Sequence, residues 1–363
     1  MWYAHTKGED IGDWEPILTH LHNVMRTTAG LAAKIQADDL GGLLGLLHDI
    51  GKYDEAFQRR LYGDPRPYDH STAGASILAE RYGKVGKLLA YAVAGHHVGL
   101  PPGIRDESRE SGQRSLEERL RSGAAQAQAT LARAQTDGLV LPEVPIPRFQ
   151  PGGKDHVGLQ LALFLRMLFS CLVDADRLET ERFYGALERG SKYTLSDLRQ
   201  SFAAYHNRMM APRADDSPVN RLRADVYAHV LEQASRKPGV YTFTVPTGGG
   251  KTLTYLGFAL SHAIANDLDR IICVLPFITV IEQTARVFRQ AFGRRRGAVL
   301  EHHSMFEHQV GKRQIAAEGK AKLFRDMENW DAPVVVTTAV QFFESLFGAH
   351  PSRCRKLHAI CNS

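Results

Sequence analysis

A glycine-rich loop between a β-type segment and an apolar helical segment most constrains the fold of this sequence. The residues VPTGGGKT run from Val245 to Thr252, directly after the β-type run VYTFT. Consecutive glycines let the backbone wrap closely around phosphate groups, and a helix that begins at the lysine points its N-terminal N–H groups at the same place. Such a loop belongs to a parallel sheet with crossover helices. We therefore predict an α/β fold around this segment.

The sequence beyond this loop supports the prediction, because β-branched runs alternate with amphipathic helical patterns. Strands are predicted in TFTVP, RIICVLPF, GAVLEHH and APVVVTTAV. Helices are predicted over Leu253 to Ala265, over Val280 to Phe292 and around Gln314 to Met327.

The first part of the sequence follows a different pattern. From Trp14 to Met210 apolar residues recur at helical spacing and no segment alternates like a strand, which predicts a mostly helical domain. Residues 101–155 are polar and are interpreted as an insertion, not a core element, in which Ser115 to Gln135 could form an exposed helix. The stretch MMAPRADDSPVN is typical of a linker. We expect two domains, residues 1–210 and 211–363.

Composition indicates a soluble cytoplasmic protein. Lys and Arg outnumber Asp and Glu by 45 to 40, which fits a nucleic-acid partner without establishing one. The apolar stretch from Leu159 to Cys171 is shorter than a membrane span of about 20 residues and contains Arg166. No signal peptide is recognised at the start of the chain. The cysteines form no C-x-x-C pair, so reduced thiols are expected at Cys171, Cys273, Cys354 and Cys361.

The glycine-rich loop predicts a site for ATP and Mg²⁺. Lys251 would reach the β and γ oxygens and Thr252 would hold the magnesium ion. The common pattern has Gly at Val245, but helicases of superfamily 2 tolerate Ala or Val there. The alternative is a glycine-rich turn without a nucleotide. The predicted nucleotide-binding residues are Thr247, Gly248, Gly249, Gly250, Lys251 and Thr252.

Histidines and aspartates in the helical part predict a metal site. Each lies at or near the end of a predicted helix, where a bundle can direct several side chains into one cleft. One such residue alone would be an ordinary helix-end polar group. Imidazoles mixed with carboxylates suit Fe, Mn, Co or Ni better than Mg²⁺. The candidates are His20, His48, Asp49, His70, His96, His97 and either Asp174 or Asp176.

The order of these motifs resembles a known family. HDIGK, then FQ, DHS, GHH-x-G and LVDADRLET resemble the HD nuclease domain of the CRISPR-associated helicase-nuclease of type I systems. The resemblance implies a catalytic centre at His48 and Asp49, with Lys52 beside the scissile phosphate. It implies one metal held by His20, His48, Asp49 and Asp176, and a second held by Asp49, His70, His96 and His97.

The second half resembles the first motor domain of the same family, closest to its subtype I-C members. The matching segments are PTGGGKTL, VLPFITVIEQTA, LEHHS and VTTAVQFFESLF. The resemblance implies a helical HD domain followed by an incomplete RecA-like domain with a parallel sheet. It also implies a monomer that degrades foreign DNA, recruited by the guide-RNA surveillance complex (Cascade) to the displaced, non-target single strand and moving 3′ to 5′ with ATP. The DNA-contacting positions would be Thr279, Gln283, Thr337 and Thr338, with helix or strand capping as the alternative for each.

Several assignments have alternatives. His22 is about 200° from His20 around a helix, so only one of them can face a given metal, and His20 is preferred. Asp176 is preferred to Asp174, which would then be a helix-end carboxylate. Lys52 could instead pair with Asp54 or Glu55 on the surface. A structural role at a strand end is expected for His302 and His303, and a solvated loop for Arg294, Arg295 and Arg296.

No Asp-Glu pair follows Thr252, although a motor of this class needs one to bind magnesium and position water. We therefore expect a fragment of a longer enzyme, with negligible ATPase activity. Two other functions are alternatives to a DNA nuclease. An HD nucleotide phosphohydrolase would need a closed pocket for a base, and an inactive DNA- or partner-binding scaffold would need a vestigial metal site.

Overall fold

The computed structural model describes residues 1–104, 114–143, 149–153, 155–185, 189–210, 217–306 and 317–363. These residues form two compact units. The first contains Met1–Ala186 and Glu344–Cys361, and the second contains Leu187–Phe343 and Asn362–Ser363. The expected domain boundary at residue 210 differs from this division, since contacts change near residue 187 and residues 344–361 pack with the first unit.

The first unit is helical, as predicted, apart from a two-stranded antiparallel ladder of β1 (Tyr3–His5) and β2 (Glu15–Pro16). This ladder is too short to give an alternating pattern, so the expectation of no strand after Trp14 missed it. The helices are α1 (Ile17–Ala32), α2 (Asp38–Leu47), α3 (Glu55–Leu61), α4 (Ser71–Arg81), α5 (Gly83–Gly95), α6 (Leu116–Thr136), α7 (Val157–Phe183) and, from the end of the chain, Pro351–Cys354.

Glycines allow the helices of the first unit to approach closely. A Cβ at Gly45 of α2 would lie 2.7 Å from the Met25 backbone in α1. A Cβ at Gly74 of α4 would lie 2.0 Å from the Leu47 carbonyl oxygen at the end of α2. Larger residues cannot occupy these positions without moving a helix. The core therefore fixes the end of α2 against both neighbouring helices.

The expectation that residues 101–155 form an exposed insertion is wrong for α6. This helix begins with a capping box at Ser115 and packs against α4. A Cβ at Gly123 would lie 2.4 Å from the Thr72 side chain. Small residues at helical spacing let α6 approach the core, and their weak hydrophobicity concealed this in the sequence. Its buried residues are Leu116, Arg119, Gly123, Ala127, Thr130 and Ala134.

Helix α7 passes a test of length and hydropathy for a membrane span, with a mean hydropathy of 1.7 over its best window. Half of that window is buried inside the protein. The helix also carries Asp174, which is 1% exposed, so its apolar character is that of a core helix. All four cysteines are free thiols.

The second unit contains a parallel three-stranded sheet in the order β3-β5-β4, which confirms the predicted α/β class. Strands β3 (Ile271–Leu275) and β4 (Val299–His302) both pair with the central β5 (Val334–Thr338). The helices of this unit are α8 (Leu195–Met210), α9 (Pro218–Glu232), α10 (Lys251–Ala265), α11 (Ile278–Phe292), α12 (Ala317–Asn329) and α13 (Ala339–Phe347), the last of which continues into residues 344–347.

The prediction of a strand in TFTVP is wrong for this structure. Residues 241–246 have no regular structure, and Tyr241 and Phe243 are 40% and 37% exposed. A strand needs a neighbour for its N–H and C=O groups, and no described strand pairs with this segment. The expected linker also ends early, because Pro218 begins α9 with Ser217 as its cap. Residues 211–216, and residues 314–316 of the helix predicted to start at Gln314, lie outside the described residues.

Candidate metal centre

The seven preferred ligands lie in one cluster of the first unit. His48 and Asp49 follow α2, and the chain then makes a 3-10 turn from Ile50 to Tyr53. A Cβ at Gly51 in this turn would lie 2.1 Å from the His70 carbonyl oxygen, so the glycine brings two ligand-bearing segments together. The other ligands are His20 on α1, His70 before α4, His96 and His97 after α5, and Asp176 on α7.

The first group of donors surrounds one point. His20 Nε2 lies 3.3 Å from His48 Nε2, and these atoms lie 3.5 and 3.4 Å from Asp49 Oδ2. Asp176 Oδ1 lies 3.8 Å from His20 Nε2 and 3.5 Å from His48 Nε2. Four donors placed about 2.1 Å from one ion in a tetrahedron lie about 3.4 Å apart. The spacing therefore fits a single transition-metal ion.

The second group lies on the other side of Asp49. Asp49 Oδ1 is 3.3 Å from His70 Nε2 and 3.2 Å from His96 Nε2. His97 Nε2 is 2.8 Å from His70 Nε2, so the fourth donor faces the same point. One oxygen of Asp49 thus faces each group. A carboxylate placed in this way could supply one oxygen to each of two metal ions.

Unsatisfied buried atoms support this assignment. Asp49 is 1% exposed, and its Oδ1 accepts no hydrogen bond from the described residues, whereas Oδ2 lies 2.7 Å from Lys52 Nζ. His96 Nε2 is likewise buried without a hydrogen-bond partner there. Buried polar atoms are costly unless they are paired or bind a metal. The donor set therefore fits two divalent cations.

Backbone contacts orient the imidazoles. The Nδ1 atoms of His48 and His96 lie 2.8 Å from the Gly45 carbonyl oxygen and 2.7 Å from the Val93 carbonyl oxygen. A carbonyl oxygen can only accept, so Nδ1 carries a proton and Nε2 is the nitrogen that faces the cluster.

Glu15 has the corresponding role beside His20, and sequence reasoning missed it. Its carboxylate, on a residue only 5% exposed, lies 3.3 Å from His20 Nδ1 and 2.7 Å from His5 Nδ1. Burial raises the pKa of Glu15, but His20 and His5 outweigh it and lower that pKa to about 2. The group is therefore an anion that faces His20 Nδ1. The glutamate lies five residues before His20, and the sequence gives no motif that would identify it.

The negative charges of Asp49 and Asp176 favour positively charged neighbours in the cluster. Burial lowers the pKa of His48, but the carboxylates of Asp49 and Asp176 outweigh burial and raise it to about 10. Burial raises the pKa of Asp49, whereas His48 and Lys52 hold it well below its usual value. Without a metal the carboxylates therefore recruit protons and the nearby ammonium group.

Lys52 lies inside the cluster. Its Nζ is 2.7 Å from Asp49 Oδ2 and 3.3 Å from His5 Nε2, and the residue is only 5% exposed. The alternative of a surface pair with Asp54 or Glu55 is therefore not observed. The ammonium group therefore faces the carboxylate that lies between the two ligand groups.

The structure also distinguishes the paired candidates. Asp176 lies in the first ligand group, whereas Asp174 faces away and is bonded to Arg355 Nε at 2.7 Å and to His358 Nε2 at 2.9 Å. His22 is absent from the ligand groups found among the described residues, whereas His20 belongs to one.

The glycine-rich loop of the second unit precedes α10, which begins at Lys251. Gly248 and Gly250 have φ angles of 86° and 82°, a region that favours glycine. Arg223 on α9, which sequence reasoning missed, donates from Nε and Nη2 to the Gly248 carbonyl oxygen at 2.9 and 2.7 Å. Lys251 is exposed at the start of the helix and Thr252 is half-buried.

The predicted DNA-contacting residues differ in exposure. Thr279 and Gln283 are exposed at the start of α11. Thr337 is fully buried, and its hydroxyl donates to the His302 carbonyl oxygen at 2.8 Å. Thr338 Oγ1 accepts from the Gln341 N–H at 3.0 Å, which caps α13. The capping alternative therefore describes both threonines.

His302 ends β4 and His303 follows it, and both imidazoles contact other side chains. His302 Nδ1 accepts from Trp330 Nε1 at 2.8 Å. His303 Nε2 lies 3.2 Å from Glu301 Oε1, and Glu282 lies close to both. Arg289 Nη1 donates to Glu301 Oε2 at 2.7 Å and already supplies a positive charge. Of the three arginines after α11, Arg295 donates to Ser201 Oγ at 2.7 Å.

Comparison with known proteins assigns each half to a known type of domain. Residues 4–163 match the family model described as "Cas3, HD domain". Residues 218–355 match the family model described as "Type III restriction enzyme, res subunit". A curated protein of Haloferax volcanii, "CRISPR-associated nuclease/helicase Cas3", is 31% identical over 141 residues, which are 35% of this chain and 15% of that protein.

Solved structures show the same fold over nearly the whole chain. The crystal structure of T. fusca Cas3 matches with a TM-score of 0.61, 17% identity and coverage of 99% of this chain and 45% of that chain. Its ADP-bound form matches with a TM-score of 0.58, 18% identity and coverage of 100% and 46%. The chain thus spans less than half the length of these proteins. It consists of a helical HD domain followed by an α/β RecA-like domain.

Proposed function

We propose that this chain is the nuclease and first motor portion of a CRISPR-associated helicase-nuclease, and that its HD domain cuts single-stranded DNA with two divalent transition metals. The observation that carries the proposal is the position of Asp49, whose two oxygens face two separate groups of imidazoles. The similarity of residues 4–163 to the HD domain of Cas3 supports the same assignment.

The proposed chemistry is hydrolysis of a phosphodiester. The first metal would be held by His20, His48, Asp49 and Asp176, and the second by Asp49, His70, His96 and His97. Bound metals of this kind polarise the phosphate and lower the pKa of water, which supplies a nucleophile near neutral pH.

The protein's own groups prepare this site. Asp49 sets the separation of the two donor groups, and the Nδ1 contacts of His48 and His96 fix which ring nitrogen faces inward. Lys52 Nζ, close to Asp49 Oδ2, is placed to contact a phosphate oxygen. Imidazole donors favour Fe, Mn, Co or Ni over Mg²⁺.

The second unit is proposed to bind ATP. Lys251 and Thr252 at the start of α10 would hold the phosphates of ATP and its Mg²⁺, with Arg223 bracing the loop at Gly248. In a longer enzyme that contains this chain, recruitment by the surveillance complex Cascade would deliver the displaced strand in the cytoplasm. The exposed side chains of Thr279 and Gln283 are the remaining candidates for contacts with its backbone.

A test combines metal analysis with cleavage of circular single-stranded DNA. With Mn²⁺, Co²⁺, Ni²⁺ or Fe²⁺ and without ATP, the purified chain should contain two metals and linearise the circle. Metal-assisted hydrolysis at an open site can cut inside a strand, because it needs no free end. Duplex DNA should resist cleavage, since the site is proposed to accept a single flexible strand. Equal rates on duplex DNA would contradict the proposed substrate. Hydrolysis of free nucleotides without any DNA cleavage would support a phosphohydrolase.

A further inference from the structure

A groove opens directly beside the second ligand group. It is a cavity of about 800 Å³ in the first unit, and the imidazoles of His70 and His97 form part of its wall. His97 is exposed, and the His70 side chain is 16% exposed. A molecule in this groove would therefore contact the metal-binding edge. The volume is within the range of ligand sites.

Two arginines of the groove have no carboxylate partner in the part of the chain that the structure describes. Arg60 on α3 makes no ion pair within the described part of the chain. The Arg114 guanidinium donates to Ser122 Oγ and lies 3.3 Å from the Glu118 carbonyl oxygen, both of them neutral acceptors. Both arginines line the cavity and are exposed. Two arginines without a carboxylate partner among the described residues, beside the second ligand group, favour an anionic occupant.

The other two charged residues of the groove, Arg119 and Asp69, form an ion pair and neutralise each other. The Arg119 guanidinium donates to both carboxylate oxygens of Asp69 at 3.0 Å. Arg119 is only 6% exposed, whereas Asp69 is exposed. This pair therefore shapes the wall and leaves the positive charge to the other two arginines.

An aromatic ring is fixed in the same wall. Tyr68 is half-buried, and its hydroxyl oxygen accepts a hydrogen bond from Gln126. Its ring contacts Phe57 edge-on with centroids 6.2 Å apart, and Phe57 contacts His70 at 5.4 Å. Val98, 58% exposed, adds apolar surface. Arginines with a fixed aromatic ring are the combination that binds single-stranded nucleic acid without reading its sequence.

We propose that this groove holds the nucleotides flanking the scissile phosphate of a single strand, with phosphates on Arg60 and Arg114 and a base against Tyr68. The proposal rests on the nuclease function given above and names the residues that grip its substrate. A base can stack on Tyr68 only when it is unpaired, which would exclude an intact duplex from the groove.

Steady-state cleavage of a single-stranded oligonucleotide with Mn²⁺ tests the aromatic contact. Tyr68→Ala should raise KM by about tenfold, because loss of one stacked base weakens binding by about that factor or more. kcat should stay within about twofold, since the proposed metal ligands are intact. Tyr68→Phe retains the ring and should keep KM near the parent value. An unchanged KM in Tyr68→Ala, with both metals bound, would overturn the stacking assignment.

Salt dependence tests the phosphate contacts. Each of Arg60→Gln and Arg114→Gln should reduce the slope of log binding constant against log salt concentration by about 0.7, the value for one phosphate contact on a single strand. Arg121→Gln is the matched control, because Arg121 lies on α6, is 73% exposed and pairs with Glu117 outside the groove. An equal loss of slope in Arg121→Gln would show a general charge effect and contradict the proposed groove.

Binding of a fluorescent oligonucleotide in EDTA separates this proposal from the nuclease function. If the parent binds through Tyr68 and Arg60 but never cuts with any of the four metals, the groove stands and the nuclease function fails. If the parent cuts and no groove substitution changes KM or the salt slope, the groove assignment fails alone. Hydrolysis of free nucleotides that depends on Tyr68, with DNA binding unaffected, would also overturn the assignment to a single strand.

Discussion

Asp49→Asn should remove more metal than loss of any single histidine, because Asp49 is the ligand shared by both groups. The substitution leaves three charged or imidazole donors in each group, whereas His70→Ala leaves the first group complete. We expect about two metals per chain in the parent, about one in His70→Ala, and fewer than one in Asp49→Asn. Elemental analysis after desalting measures the difference, and DNA cutting should be lost in both variants.

The same substitution has a calculable effect on the metal-free fold. Lys52 is 5% exposed and its Nζ lies 2.7 Å from Asp49 Oδ2, so Asp49→Asn leaves a buried ammonium group without its partner. Breaking such a pair costs about 3–5 kcal/mol. Urea unfolding in EDTA should show a loss of this order. The double variant Asp49→Asn/Lys52→Met removes both charges and should recover most of it.

The double variant also keeps the metal test independent of folding. If Asp49→Asn/Lys52→Met is as stable as the parent but still binds fewer than one metal, Asp49 acts as a ligand. Two metals retained in the folded double variant would refute the bridging role. A stable Asp49→Asn single variant in EDTA would refute the buried ion pair with Lys52.

Three further predictions concern residues around the cluster. His20→Ala should abolish cutting while His22→Ala keeps both metal and activity, and the reverse result in the cleavage assay would show that the wrong histidine was assigned. Glu15→Gln should weaken metal affinity by about 10–100-fold, measured by competition with a chelator; unchanged affinity would rule out orientation of His20. Arg355→Met should lower the free energy of unfolding by about 3–5 kcal/mol and Asp174→Leu in the same chain should restore most of it, whereas an additive loss in urea titrations would contradict a direct pair.

Much of the metal cluster could be predicted because its ligands follow local rules. His48 and Asp49 are adjacent in the sequence, and each ligand lies on or next to a helix whose apolar spacing is readable. The neighbours that orient those ligands could not be predicted in the same way. Glu15 belongs to a two-residue strand, and its relation to His20 exists only once β1 and β2 have paired.

Most strands and helices of the second unit could also be predicted from the sequence. The strands β3, β4 and β5 and the helices α10 and α11 appear where β-branched and amphipathic patterns predict them. The pattern predicted the helix α6 but not its burial, because Gly123 and Ala127 give little hydrophobic signal although they permit close helix packing. It also failed for residues 241–246, because a β-type pattern describes a preference and strand formation needs a partner.

The pairing of Asp174 with Arg355 shows why this metal site depends on residues distant in the sequence. Asp174 and Asp176 lie two positions apart on α7, about 200° around the helix, so one can face the metals only while the other faces away. Asp174 is held in that direction by the Arg355 guanidinium and by His358, and Arg355 is itself 1% exposed. The rotation of α7 that presents Asp176 to His20 and His48 is therefore secured from residues 344–361. Those residues lie beyond the predicted end of the nuclease domain at residue 210, so a nuclease cut at that point would lack the contacts that orient one of its own ligands.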